Sequence, residues 1–324
     1  MDNVTHSLTA WMLSRAGLNR LTPHATAILL LSANAPDLDA LGALGGSLDY
    51  IRCHRGILHS FVAAPFLALA AVALVRLFTR KPLRWGPACL VALAGVLSHL
   101  LLDWTNAYGI RLLLPFSTAW LRLDITSLID LWIAVALGLA AVAPLLSRLV
   151  SAEIGACSAP SRAPAIAALC FFALFDCARY ALHERAIATL DSRMYANHVP
   201  LRVAAFPVSS SPLRWRGLVE GTEFYAAYDI DLLKEFDPSR GQIFYKPDAP
   251  KAVAAALATD TFQQFLRFSQ YPFWRVVPLD DPEHGARVEA MDLRFGPPSD
   301  PHFVATAILD GNFKVHQAWF ALRH

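Results

Sequence analysis

GPACLVALAGVLSHLLLD, residues 86–103, is apolar almost throughout and places His99 and Asp103 four apart at its end. A helix that crosses a bilayer takes about 20 apolar residues, so this stretch reads as a short membrane span. Ionisable groups at membrane depth are costly and usually face a cavity, a partner or an ion. On a helix, residues four apart share one face, one turn from each other. HxxxD is therefore a compact two-ligand unit for a metal, or equally a buried hydrogen-bonded pair. Spacing alone does not choose between them.

Composition agrees with a membrane setting. The 324 residues are 55% hydrophobic and 17% charged, with mean hydropathy +0.39; soluble domains carry about 25% charged residues. The charges are unevenly placed. Residues 1–182 hold 13 Lys or Arg and 9 Asp or Glu, and residues 183–324 hold 15 and 17. We expect an α-helical integral membrane domain over 1–182, followed by a small soluble α+β domain with an antiparallel sheet over 183–324. A net charge of +2 without a Lys/Arg block makes no case for nucleic acid. The five cysteines, Cys53, Cys89, Cys157, Cys170 and Cys177, all precede the soluble part, so no disulfide framework is expected there. MDNVTHSLTAW lacks the basic n-region of a cleavable signal peptide.

Further spans are expected at 57–78 (ILHSFVAAPFLALAAVALVRLF), 127–147 and 164–182. Two 13-residue apolar runs, 4–16 and 24–36, are each too short to cross comfortably. Gly17 to Pro23 between them is a good turn. A helical hairpin over 4–36 is the economical reading, and it brings His6 to the same side as Asp103. The positive-inside rule supports this arrangement. Arg15, Arg20, Arg76, Arg80, Lys81, Arg84, Arg148 and Arg162 fall on the cytoplasmic side; Arg52, Arg55, Arg111 and Arg122 fall opposite. The His/Asp groups and the C-terminal domain then lie outside the cytoplasm. Residues 148–163 read as a linker. Strand-like stretches occur at 213–233, 287–296 and 303–322, the last with Asp310-Gly311-Asn312 as a hairpin turn, and 250–270 reads as helix.

The remaining polar residues gather at one membrane face. ANAPDLD supplies Asp37 and Asp39 after Pro36, which disfavours helix at Ala35. These carboxylates could cap free N–H groups. Equally, one could bind metal and the other act as base. CHRGILHS supplies His54 and His59, with Arg55 beside them to meet an anionic substrate oxygen or to anchor at the interface. His6 follows Asp2 by four residues, so Asp2 is placed to orient it. Asp130, at the start of the 127–147 span, is either a further ligand or a cap.

MDNVTHS, ANAPDLD, HRGILHS and HLLLDWTNAYGIRLLLPFS occur in that order over residues 1–135. Together they resemble the LexA-regulated, YdjM-like family of membrane-bound metal-dependent hydrolases. The ligand order is also similar to that of zinc-dependent phospholipase C. That family's second helical His/Glu pair has no clear counterpart here, so one or two metals are expected rather than three.

The resemblance implies a membrane-embedded hydrolase. Its metal ligands would be His6, Asp37, His59, His99 and Asp103. Asp39 would be the general base, His54 a ligand or a proton donor to the leaving group, and Arg55 a stabiliser of developing negative charge. The cofactor implied is a divalent metal, zinc first and manganese second. A water of lowered pKa would attack a phosphoester or lipid-derived substrate. The expected partners are membrane lipids and that small-molecule or lipid substrate. Two other readings stand beside it: a metal or proton transporter, and a membrane anchor presenting the C-terminal domain. Polar groups clustered at one end of the spans fit a translocation path poorly.

Overall fold

The computed structural model describes residues 1–79, 82–153, 161–279 and 285–322. It has two compact units. The first comprises residues 1–39, 55–183 and 207–212; the second comprises 40–54, 184–206 and 213–324.

The first unit is helical. Helices α1 (Asn3–Ala16) and α2 (Ala25–Asn34) form the expected hairpin. Gly17, at φ 147°, ends α1 and returns its N–H to Leu13 and Ser14 carbonyls. The two helices run antiparallel. Ser14 Oγ meets Thr26 Oγ1 at 2.6 Å near the turn, and Asn34 Nδ2 donates to Ser7 Oγ at 3.0 Å near the open end.

Helix α5 (Trp85–Thr105) packs on α2 through small residues. A Cβ at Gly95 would overlap Ser32 Oγ and lie 3.1 Å from the Leu29 carbonyl oxygen, so only glycine permits this approach. Ala88, Val91, Ala92 and Val96 pack with Ile28, Leu29 and Ala33 in the same core. The close approach fixes where His99, one turn beyond Gly95, meets the end of α2.

Helices α6 (Leu131–Glu153) and α7 (Ala163–Asp191) complete the helical set. Among the described residues, three helices are long and apolar enough to cross a membrane: α5, residues 131–151 of α6, and α7. The count rises to five if two broken helix pairs each cross as one span. Residues 57–78 fall within one of those broken pairs, 47–59 with 64–78, and are not the continuous span expected. A 3₁₀ turn at Ile57–His59 is followed by helix α4 (Ala64–Phe78). Ser60 Oγ donates to the Ile57 carbonyl and accepts from Ala63 N–H, and Pro65 occupies the first turn of α4, where no N–H is needed. Of the loops used to orient the chain, Arg80, Lys81 and residues 154–160 lie outside the described residues, as does Cys157.

A ten-residue 3₁₀ segment (Pro36–Gly45), whose first four residues belong to the first unit, leads to helix α3 (Ser47–Cys53) of the second. Two four-stranded antiparallel sheets follow: β1 (Arg202–Val208), β2 (Ser211–Glu220), β3 (Phe224–Asp231) and β4 (Gln242–Tyr245), then β5 (Pro272–Pro278), β6 (Ala286–Asp292), β7 (Phe303–Leu309) and β8 (Val315–Leu322). The strand-like stretches of 213–233 are the paired strands β2 and β3. The turn between β7 and β8 is held by Asp310 Oδ1, which accepts from Asn312 and Lys314 N–H at 2.9 and 2.8 Å.

The expected 250–270 helix is two helices, α8 (Pro250–Leu257) and α9 (Asp260–Phe268). Thr259 breaks the run because its Oγ1 caps α9, accepting from Phe262 N–H. Phe262, Phe265 and Phe268 of α9 are buried, and Phe265 packs on Phe320 of β8. Tyr225–Phe273 and Phe206–Tyr271 ring contacts join the two sheets.

Candidate metal centre

Three chain segments of the first unit bring four side chains to one buried point. Asp37 comes from the 3₁₀ segment after α2, His59 from the turn before α4, and His99 and Asp103 from successive turns of α5. One ligand atom from each lies within 4.8 Å of the others. His59, His99 and Asp103 are fully buried, and Asp37 is nearly so.

The hydrogen-bond directions are fixed by chemistry. His59 Nδ1 lies 2.9 Å from Asp39 Oδ2, and His99 Nδ1 lies 2.7 Å from the Ala33 carbonyl oxygen. Neither oxygen can donate, so both Nδ1 atoms carry the proton. With both rings neutral, their Nε2 atoms are lone-pair acceptors, yet they face each other at 3.2 Å. They also face carboxylate oxygens: His59 Nε2 lies 3.4 Å from Asp37 Oδ1 and 3.5 Å from Asp103 Oδ2, and His99 Nε2 lies 3.7 and 3.6 Å from the same atoms. In that state four acceptors converge with no hydrogen between them. One extra proton would satisfy one such contact; a cation at their centre satisfies all four.

The spacing agrees with that chemistry. Nitrogen and oxygen ligands at 2.0–2.2 Å from a tetrahedral ion stand about 3.3–3.6 Å apart. The five ligand–ligand distances given above run from 3.2 to 3.7 Å. Charge agrees as well. Asp37, Asp39 and Asp103 face the Arg55 guanidinium and the Met1 amine, which ion-pairs with Asp103 Oδ1. The buried site is short of positive charge.

His6 stands beside this set. Its ring stacks on His99 at 3.8 Å, and its Nε2 lies 3.5 Å from Asp103 Oδ1. It is fully buried, and neither ring nitrogen has a hydrogen-bond partner among the described residues. Asp2 does not orient it. Asp2 caps α1 instead, accepting from Val4 and Thr5 N–H and from Thr5 Oγ1. Asp130 likewise caps α6 through Trp132 N–H.

Asp39, expected as a general base, accepts both the His59 proton and Gly56 N–H (3.3 Å) with a single oxygen, Oδ2. Arg55 is buried and spans the site's edge. It donates to Asp103 Oδ1 at 3.0 Å and to the Gly109 carbonyl at 2.9 Å, and its guanidinium stacks 4.4 Å from the Tyr108 ring. His54 belongs to the second unit, where its ring stacks on Tyr50 at 4.7 Å. Three groups escaped sequence reasoning: the Ala33 and Gly109 carbonyls, which as backbone carry no residue signal, and Tyr108, an aromatic close after the HxxxD unit.

The arrangement suits a divalent metal with nitrogen and oxygen ligands. The profile of the YdjM inner membrane protein family matches residues 1–186, and that of the YfhP C-terminal alpha/beta plait domain matches residues 251–321. The chain is 32% identical to the protein YfhP of Bacillus subtilis (strain 168) over 153 residues, 44% of this chain and 46% of that one. It thus spans about half the length of the curated relative it matches. No solved structure matches. A helical region with apolar spans, a possible metal centre of Asp and His, and a C-terminal sheet domain agree with the family match, and this integral membrane protein belongs to the YdjM inner membrane protein family.

Proposed function

We propose that this chain is a membrane-embedded metal-dependent hydrolase acting on a phosphoester, most simply one carried by a lipid. The observation that carries the reading is the set of four converging acceptors on Asp37, His59, His99 and Asp103, with both rings held as Nδ1–H tautomers. These four would hold the ion, with zinc the first expectation and manganese the second. A bound divalent ion supplies a Lewis acid and a water of lowered pKa.

The chain's own groups then have separate tasks. Asp39 holds the His59 ring with its Nε2 lone pair turned inward, a positioning role. The Ala33 carbonyl does the same for His99. Arg55 fixes Asp103 and adds positive charge at the edge where a phosphoryl oxygen would develop charge. His6, with both ring nitrogens unpartnered, is the group available to accept or hand on a proton. The orientation with site and C-terminal domain outside the cytoplasm is part of the same reading. It rests on the distribution of Lys and Arg.

The test is direct. The protein is purified in detergent, its metals are measured, and hydrolysis of aryl phosphate esters and phospholipids is followed with and without chelator. The reading expects close to one divalent ion or more per chain, lost in His99→Ala and Asp103→Ala, and turnover abolished by chelation and restored by metal. Unchanged metal content in both variants would sink the site. Metal bound without any phosphoester turnover would sink the hydrolase.

A further inference from the structure

Within the second unit, one face of the β2–β3–β4 ladder carries charges that the fold does not pair. Residues directly opposite on neighbouring strands share a side of the sheet. Arg216 stands opposite Asp229, and Leu218 and Gln242 belong to the next rung on that side. These four residues line a cavity of about 220 Å³, which Leu293 and Pro297, just after β6, also line. Pockets for drug-sized ligands run to about 300–1,000 Å³, so this cavity suits a smaller molecule. Arg216 is held in place. Its Nη2 donates to the Arg294 carbonyl oxygen, and its guanidinium lies 5.6 Å from the Phe206 ring. The Arg294 backbone is fixed in turn, because Asp292 accepts from Arg294 N–H and from its guanidinium. Asp292 and Arg294 thereby neutralise each other. Arg240, also lining the cavity, pairs with Asp237. Arg216 and Asp229 remain: each feels the other's charge, yet among the described residues neither makes an ion pair.

We propose that this cavity binds a small zwitterion, with its oxyanion on Arg216 and its primary ammonium on Asp229. A simple anion on Arg216 would meet the charge of Asp229, and a simple cation on Asp229 would meet that of Arg216. A ligand carrying both charges satisfies both residues. A guanidinium suits a carboxylate or phosphate, whose oxygens accept paired N–H groups. A carboxylate accepts ammonium N–H, and the Gln242 amide can donate or accept beside them. Two sources share this chemistry: a free amino acid, and a phosphoethanolamine group. The site lies wholly in the second unit and stands whether or not the metal centre is catalytic.

The experiment is titration calorimetry on the full chain in a non-ionic detergent, at constant ionic strength. The probes are serine, phosphoethanolamine, inorganic phosphate and ethylamine. At least one zwitterion is expected to bind about fivefold or more tightly than phosphate and ethylamine, the size of one exposed charge contact. Serine alone would point to a free amino acid, phosphoethanolamine alone to a headgroup, and both to the shared chemistry. Asp229 is exposed, so Asp229→Asn should fold, and it should erase the preference over phosphate. Arg216→Gln should abolish binding of every anionic probe, with near-UV circular dichroism reporting its fold; if it fails to fold, Asp229→Asn still decides. Phosphate bound as tightly as the zwitterions overturns the proposal in favour of a plain anion site. Zwitterion binding unchanged in Asp229→Asn overturns it as well. So does no heat from any probe at about 10 mM, where a Kd near 1 mM would fill most of the site.

Discussion

Asp39→Asn separates two roles that a carboxylate beside a metal can play. Asp39 Oδ2 accepts the His59 Nδ1 proton at 2.9 Å, and this bond fixes the tautomer that turns the Nε2 lone pair toward Asp37 and Asp103. Asparagine keeps the size and one acceptor oxygen but loses the charge that makes the imidazole a better ligand. Removing such a supporting partner typically lowers metal affinity about 10–100-fold, which corresponds to about 1.4–2.8 kcal/mol at 1.4 kcal/mol per tenfold. His59→Ala deletes the ligand itself and is expected to exceed that range. The assay is competition for zinc against a chromophoric chelator in detergent, with turnover of an aryl phosphate measured at saturating metal. A positioning Asp39 gives a weakened Kd and turnover that largely returns when metal is added in excess. A general base gives the opposite pattern: unchanged Kd and turnover that no amount of metal restores. Unchanged affinity in Asp39→Asn would refute the assignment of Asp39 to His59.

Three further expectations follow from the geometry. Gly95→Val should separate α5 from α2, because even its Cβ would meet the Leu29 oxygen at 3.1 Å and Ala33 N at 3.3 Å. Overpacking of this kind costs about 1–3 kcal/mol, and metal content should fall with the melting temperature in detergent; a variant that melts and binds metal like the parent would refute the close contact. In the C-terminal domain, burial alone would raise the Asp292 carboxyl, but Arg294, donating from Nε (3.0 Å) and Nη2 (2.8 Å), holds it below the usual range. That contribution is full above the unfolded value near 3.9 and is lost as pH falls below it. Arg294→Met, which strands the buried charge, should cost about 3–5 kcal/mol at neutral pH, read as earlier loss of near-UV circular dichroism; no change would show the pair to be dispensable. Finally, a cysteine placed at Arg84 should react with an impermeant maleimide only after the cells are broken, and one placed at Asn312 should react in intact cells; the reverse pattern would invert the proposed orientation.

The division into apolar helices and antiparallel sheets was legible because each has its own signal, long uncharged runs against β-branched alternation. The hairpin at α1 and α2 was legible because two short runs flank a Gly/Pro turn. Asp2 was misread because i,i+4 spacing to His6 looks the same whether a carboxylate orients an imidazole or caps the helix below it. The cap takes the carboxylate because its two helix N–H groups and the Thr5 hydroxyl are within immediate reach. The expected single helix at 250–270 failed for a comparable reason: Thr259 offers the backbone a cap in mid-run. Within the candidate site, HxxxD on α5 was visible from spacing. The choice of His59 beside Asp37 was not, because it depends on how the turn before α4 folds.

That turn also explains why 57–78 is not one helix. In hydrocarbon, backbone groups freed by a helix break go unsatisfied unless the break is buried in protein or lines a polar site. The first unit has two such breaks, after α2 and before α4, and each delivers a ligand: Asp37 from one, His59 from the other. The break before α4 is repaired locally, by Asp39 taking Gly56 N–H and by Ser60 taking Ala63 N–H. Asp39 therefore serves the backbone of one break and the imidazole it delivers at the same time. Three buried carboxylates in such a place are tolerable only with a compensating cation. Ion binding and the folding of these two breaks should then be one equilibrium. Chelation should expose the backbone at 56–63 to hydrogen exchange while leaving the interior of α7 as protected as before. Equal loss of protection in both would mean that the centre holds the whole helical unit together, and loss in neither would mean that the breaks stand without the ion.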